Sequence, residues 1–128
     1  MNGELFMLEE IDVHSTVPVY TQIEKQVQFA IAAGRLRSED RLPSVRELSE
    51  RLGINPNTVA KAYRDLQLMG WVSARRNMGI FVTKNCEERC KEDCRRRVVE
   101  ELFQVVSEAK AAGMDEKEIG GLAKKAYS

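Results

Sequence analysis

A chain of 128 residues, 43% hydrophobic and 31% charged, suits one compact domain or a small domain with a helical appendage. No apolar run approaches the roughly 20 residues a membrane span needs, and the acidic start MNGELFMLEE does not read as a secretory signal, so a cytoplasmic protein is expected. The formal net charge is zero, which excludes a uniformly basic surface but not a basic patch.

Residues 1–17 are weakly patterned; Leu8, Ile11 and Val13 suggest a short strand. Pro18 suits a first helical position. Val19, Ile23, Val27, Ala30 and Ile31 then recur at three- and four-residue steps, one buried face of a helix ended by Gly34. After the loop RLRSEDRLP, Ser44 with Glu47 forms a capping-box pattern, with Val45, Leu48 and Leu52 as inner face and Gly53 as terminator. Asn55 is a good N-cap, Pro56 fits the next position, and Val59, Ala62, Tyr63, Leu66 and Met69 form an apolar stripe closed by Gly70. Two short helices joined by a tight turn with a glycine are a helix-turn-helix pattern.

The period then changes. Trp71–Arg75 and Ile80–Lys84 read as strands around the turn-like Arg76–Gly79, a hairpin directly after the helix pair: a wing. Residues 86–112 read as one long helix, broken at Gly113. Asp115 with Glu118 then caps a last helix over 116–127, with Met114 and Ile119 as a hydrophobic staple. The expected fold is mainly α with a small β-wing: a winged helix-turn-helix over 1–84 and an all-helical dimerisation tail over 85–128.

Charge by segment supports a nucleic-acid role for the middle. Residues 18–84 carry eleven Lys/Arg against six Asp/Glu, while the acidic ends conceal the excess. Screening confines attraction to about 8–10 Å, so local charge is what a phosphate meets. In a helix-turn-helix the second helix enters the major groove N-terminus first. That end is Asn55, Pro56, Asn57 and Thr58, with Lys61 and Arg64 further along the same helix. Asn57 has the donor and acceptor that adenine requires. Thr58 and Lys61 suit phosphate oxygens, and the helix N-terminus adds its own amides. Arg46, in the first turn of the preceding helix, is placed to hold a phosphate; Ser44 caps that helix and is a further candidate phosphate contact. Arg75 and Arg76 mark the wing tip, where Gly79 permits a close turn and arginine probes a narrow minor groove. Trp71, Ile80 and Phe81 read as packing.

Cys86, Cys90 and Cys94 are four residues apart on one helix face that continues through Val98, Leu102, Val105 and Ala109. Cysteine packs as a small apolar residue, which makes Cys90, Cys94, Val98, Leu102, Val105 and Ala109 a candidate dimer interface. The alternative use of Cys86, Cys90 and Cys94 is metal or redox sensing, although the spacing is not that of common zinc sites. No cofactor is expected. His14 is too isolated for a ligand, and there is no phosphate-cradling glycine loop and no nucleophile–base pair, so an enzyme is not expected. A winged scaffold that binds only protein is disfavoured by the basic 55–84 segment.

The ordered motifs PVYTQI (18–23), RLPSVREL (41–48), NPNTV (55–59) with Lys61-Ala-Tyr63, and GIFV (79–82) resemble the winged-helix domain of the GntR family. The short helical tail is similar to that of the YtrA subfamily. The resemblance implies a dimeric regulator that binds double-stranded DNA at an inverted repeat and represses its own operon, often one encoding an ABC transporter. It places the phosphate-holding arginine at Arg46 and the recognition-helix start at Asn55–Thr58. The tail is too short for a roomy ligand pocket by itself, so a small-molecule effector would act between subunits.

Overall fold

A computed structural model describes residues 11–128. The elements in chain order are α1 (Val19–Ala32), α2 (Val45–Leu52), α3 (Pro56–Met69), β1 (Val72–Arg75), β2 (Gly79–Val82), α4 (Glu87–Ala111) and α5 (Glu116–Tyr127). The chain divides into two compact units meeting at Cys94 and Arg95.

In the first unit, α1, α2 and α3 surround one apolar core. Ile23, Val27, Ala30 and Ile31 of α1 are buried against Leu48 of α2 and Val59, Ala62, Tyr63 and Leu66 of α3. These are the stripe positions of each helix, so amphipathic spacing decides which face turns inward. Met69, the last residue of the α3 stripe, is 43% exposed instead. It stands one residue before the left-handed cap Gly70 (φ 86°), where the helix leaves the core.

Of the strand suggested around Leu8, Ile11 and Val13, the described part, from Ile11 on, is not a strand. Leu8 lies outside the described residues, residues 11–12 have no regular structure, and residues 13–17 are turns and bends. Gln22 of α1 explains why: its side chain accepts from Asp12 N at 2.7 Å and donates to Asp12 O at 2.9 Å, so this backbone is satisfied without a strand neighbour. Pro18 is the N-cap residue of α1 rather than its first helical residue.

Helix α2 begins with a complete capping box. Ser44 Oγ accepts from Glu47 N at 3.0 Å, and Ser44 N donates to the Glu47 carboxylate at 3.0 Å. Those hydrogen bonds, aided by Arg41 and Arg51, hold the Glu47 carboxyl below its ordinary range. The helix stops at Gly53 (φ 65°), and Asn55 caps α3 by accepting from Asn57 N at 2.8 Å. Three residues therefore separate two capped helices.

Strands β1 and β2 pair antiparallel from Val72↔Val82 to Arg75↔Gly79, leaving Arg76, Asn77 and Met78 as the turn. A third backbone segment joins them: Leu42 N donates to Ile80 O and Val82 N to Asp40 O, each at 2.8 Å, with an antiparallel bridge between Arg41 and Phe81. The wing is thereby anchored to the segment that leads into α2.

The start of α4 also belongs to the first unit. Cys86, Cys90 and Cys94 are buried within its core. In the second unit, α4 continues to Ala111, the chain turns at Gly113 (φ 86°), and Asp115 caps α5 by accepting from Glu118 N at 2.9 Å. An open groove of about 770 Å³ lined by Val106, Met114 and Ile119 among others runs along this turn. Val98, Leu102, Phe103 and Val105 of α4, and Leu122 and Tyr127 of α5, are more than half exposed.

Candidate nucleic-acid interface

The structure puts the starts of α2 and α3 and the wing turn within one unit, each through local chemistry already described. What the side chains do at these three places differs from residue to residue.

At the start of α2, Ser44 is committed to the cap. Arg46 is 88% exposed and touches Glu50 one turn on, Nε to Oε1 at 3.1 Å. A solvent-exposed pair of this kind holds its partners weakly, typically by less than about 1 kcal/mol, so the guanidinium is available to an anion. At the start of α3, Asn55 is spent on its cap, whereas Asn57 is exposed and Thr58 half-buried. Asn57 therefore offers its amide outward from the first turn, with the positive end of the α3 dipole behind it.

Lys61 and Arg64 follow on α3, both exposed. Lys61 is already engaged within the chain. Its Nζ lies 3.3 Å from Asp65 and 4.6 Å from the centre of the Tyr20 ring on α1. Asp65 in turn is hydrogen-bonded to Glu24 of α1. Burial, followed by that hydrogen bond and the Asp65 charge, raises the Glu24 carboxyl to about 7. Tyr20, Glu24, Lys61 and Asp65 thus form a polar seam between α1 and α3.

On the wing, the two arginines expected at its tip part company. Arg75 turns back: its guanidinium is 2.9 Å from Glu39 and lies 4.3 Å from the centre of the Phe81 ring. Arg76 remains exposed in the turn. Gly79 (φ 122°) is approached by Arg41, a residue that sequence reasoning did not single out. Only the pairing of its segment with β2 brings Arg41 to the wing; local spacing carries no such signal.

The candidate interface and thiol residues of α4 also separate. Val98, Leu102 and Val105 are exposed and Ala109 is half-buried. Cys90 and Cys94, expected on the same interface, are 0% and 6% exposed within the chain's own core, and Cys86 is 2% exposed. Cys90 Sγ donates to Gln28 O at 3.4 Å. Desolvation first, then the neighbouring thiols, pushes the Cys90 thiol up to about 12, and burial raises Cys86 as well. Metal ligation and redox attack both use the thiolate, which this environment disfavours. No cluster of three metal-ligating side chains occurs among the described residues. The thioether of Met69 accepts from Gln28 at 3.7 Å, and Arg89 stands over the buried Trp71 ring at 4.8 Å, so Trp71 packs as expected.

No helix among the described residues is long and apolar enough to cross a membrane. The profile of the bacterial regulatory proteins of the gntR family matches residues 19–82, from α1 to the end of the wing. The HTH-type transcriptional repressor YtrA of Bacillus subtilis is 35% identical over 106 residues, spanning 83% of this chain and 82% of that protein. A transcriptional regulator from Oenococcus oeni superposes with a TM-score of 0.69 at 30% identity, covering 94% of this chain and 99% of the other. The DNA-binding domain of AraR, solved in complex with operator ORX1, superposes at 26% identity with a TM-score of 0.50, covering 53% and 82%. Relatives and neighbours of this kind regulate transcription and are not enzymes. With its capped helix pair, its wing and this extent of likeness, the chain belongs to the gntR family of bacterial transcription regulators.

Proposed function

We propose that the chain is a dimeric repressor, cytoplasmic, that binds an inverted repeat in the promoter of its own operon, and that an ABC transporter is among the regulated products. The observation that carries the DNA part is the uncovered pair of side chains at the two helix starts, Arg46 on α2 and Asn57 on α3. Arg46 holds a backbone phosphate; Asn57 reads a base edge, aided by Thr58 and Arg64; Arg76 reaches from the wing. Lys61 and Arg75 contribute after leaving their internal partners. The AraR–operator complex, with its similar fold, and the repressor name of the B. subtilis relative support this reading.

The DNA-contacting elements are read as lying within residues 1–84, with the start of α4 completing their core, and the dimerisation part as the exposed remainder of the 85–128 tail. Pairing falls to the exposed stripe Val98, Leu102, Val105 and Ala109. Cys90 and Cys94 serve the core of the protomer instead. A two-fold dimer matches a two-fold operator, with half-sites about one helical turn apart or multiples of it.

Footprinting and gel shifts on the promoter of the protein's own gene test this. Arg46→Ala should weaken binding to every sequence and reduce the salt dependence, while Asn57→Ala should relax base preference at one position by about 1–3 kcal/mol. Binding that ignores salt, or no protection of that promoter, would sink the reading. Sedimentation of Leu102→Asp tests the dimer: the variant should be monomeric with its fold intact.

A further inference from the structure

Arg41 occupies a place that its sequence position does not announce. Backbone pairing of residues 39–42 with β2 sets its Cα opposite Phe81. Its side chain then runs across the wing to Gly79. A Cβ at position 79 would sit 3.0 Å from Arg41 Nε and 3.8 Å from Cδ, so a larger residue there would press the arginine side chain aside by a few tenths of an ångström. Gly79 also has φ 122°, a conformation that other residues rarely adopt.

On its other side, the guanidinium approaches the start of α2. Nη2 is 3.6 Å from Glu47 Oε1, the same oxygen that accepts from Ser44 N at 3.0 Å. At 3.6 Å the contact is outside hydrogen-bond range, and Glu47 is occupied by the capping box. The arginine side chain is 51% exposed. A charged, planar fork of donors therefore bridges from the wing to α2, and among the described residues its hydrogen-bonding capacity is little used. That is the chemistry that recognises a phosphate, two N–H groups at a time.

We propose that Arg41 is a further DNA-binding residue, holding a backbone phosphate between the first turn of α2 and the wing, and that Gly79 leaves its guanidinium the room to cross. The proposal rests on the DNA-binding reading of α2 and the wing. It adds a phosphate contact beside Arg46 and gives Gly79 a role in placing that contact.

The test uses the full chain and a fluorescent duplex of mixed sequence, because phosphate contacts do not depend on sequence, with affinity measured across a salt series. Arg41→Gln keeps a polar side chain without the charge. It should weaken binding and shrink the slope of log affinity against log salt by about 1, with the melting temperature unchanged. Arg41→Lys should preserve the slope. Gly79→Ala should shrink the slope in the natural chain but not further in the Arg41→Gln background. An unchanged slope in folded Arg41→Gln, while Arg46→Ala lowers it, overturns the proposal and leaves the DNA-binding face standing. If neither variant changes the slope, the reading of that face falls with it. A melting-temperature drop in Arg41→Gln with the slope intact would show a purely structural arginine and also overturns the proposal.

Discussion

The Tyr63 hydroxyl of α3 donates a 2.7 Å hydrogen bond to the carbonyl of Pro43, just ahead of the α2 cap. Both residues are buried, and the bond ties the second helix of the pair to the start of the first. Burial and the nearby Glu47 charge raise the phenol well above its ordinary value, so it stays protonated and donates at every working pH. Tyr63→Phe keeps the ring but leaves the Pro43 carbonyl without its donor. The expected loss is about 1–3 kcal/mol, the cost of an unsatisfied buried acceptor, read as a lower urea midpoint with unchanged m-value. Since Pro43 precedes Ser44 and Arg46, DNA affinity should fall as well, even well below the unfolding midpoint.

Glu24 gives the protein an unusual pH dependence. In the folded chain its carboxyl keeps a proton to about pH 7, because it is partly buried and hydrogen-bonded to Asp65; the ordinary value is 4.5. Folding therefore takes up a proton between these two values. Stability from this group is fully present below about 4.5 and declines as pH rises through 7. Asp65 is shifted the other way, below its ordinary 3.8, so its contribution changes only at lower pH. Glu24→Gln preserves a donor to Asp65 without a titrating charge. The variant should flatten the decline, gaining melting temperature over the natural chain at about pH 8 and little at about pH 5. Parallel melts at the two pH values read this directly, and equal gains at both would show that Glu24 does not titrate in this window.

Much of this architecture was legible because helix starts and stops are written in adjacent residues. Ser44 with Glu47, Asn55 with Pro56, and Asp115 with Glu118 need only their neighbours to form a cap, and each does. The wing was legible for the same reason, through a change of period around a turn. Residues whose roles depend on distant partners were not. Arg75 pairs with Glu39, 36 residues away, and stacks on Phe81, so a wing-tip arginine becomes a strut. Arg41 acquires its place from strand pairing. The cysteines show the limit most clearly: their four-residue spacing continues unbroken into Val98 and Leu102, and nothing in the period marks where α4 leaves the core.

The thiols should behave as core residues. Cys86, Cys90 and Cys94 are all buried, and Cys90 and Cys86 resist ionisation. Reaction of the native protein with a thiol reagent should be slow and should accelerate in denaturant to release all three. Cys90→Ser puts a more strongly solvated hydroxyl in a fully buried position and should destabilise the chain by about 1–3 kcal/mol, more than Cys94→Ser at the margin of the unit. Rapid labelling of Cys90 at neutral pH without denaturant would contradict this placement.

The start of α4 should be indispensable to the DNA-binding unit. Three contacts join it to separate parts of that unit. Ser38 N and Oγ donate to the Glu87 carboxylate, Arg89 donates to Gly70 O at the end of α3, and Cys90 donates to Gln28 O in α1. Glu87 is held below its ordinary carboxyl range by the Ser38 hydrogen bonds. A fragment ending at Lys84, just past the wing, would lose all three contacts. It would also uncover apolar surface now covered by Cys86, Cys90 and Cys94. That fragment should be poorly folded, whereas one ending at Arg97 should melt cooperatively and bind a single half-site. Circular dichroism melts of the two fragments decide the point: a stable, cooperative 1–84 fragment would place the whole of α4 outside the DNA-binding unit.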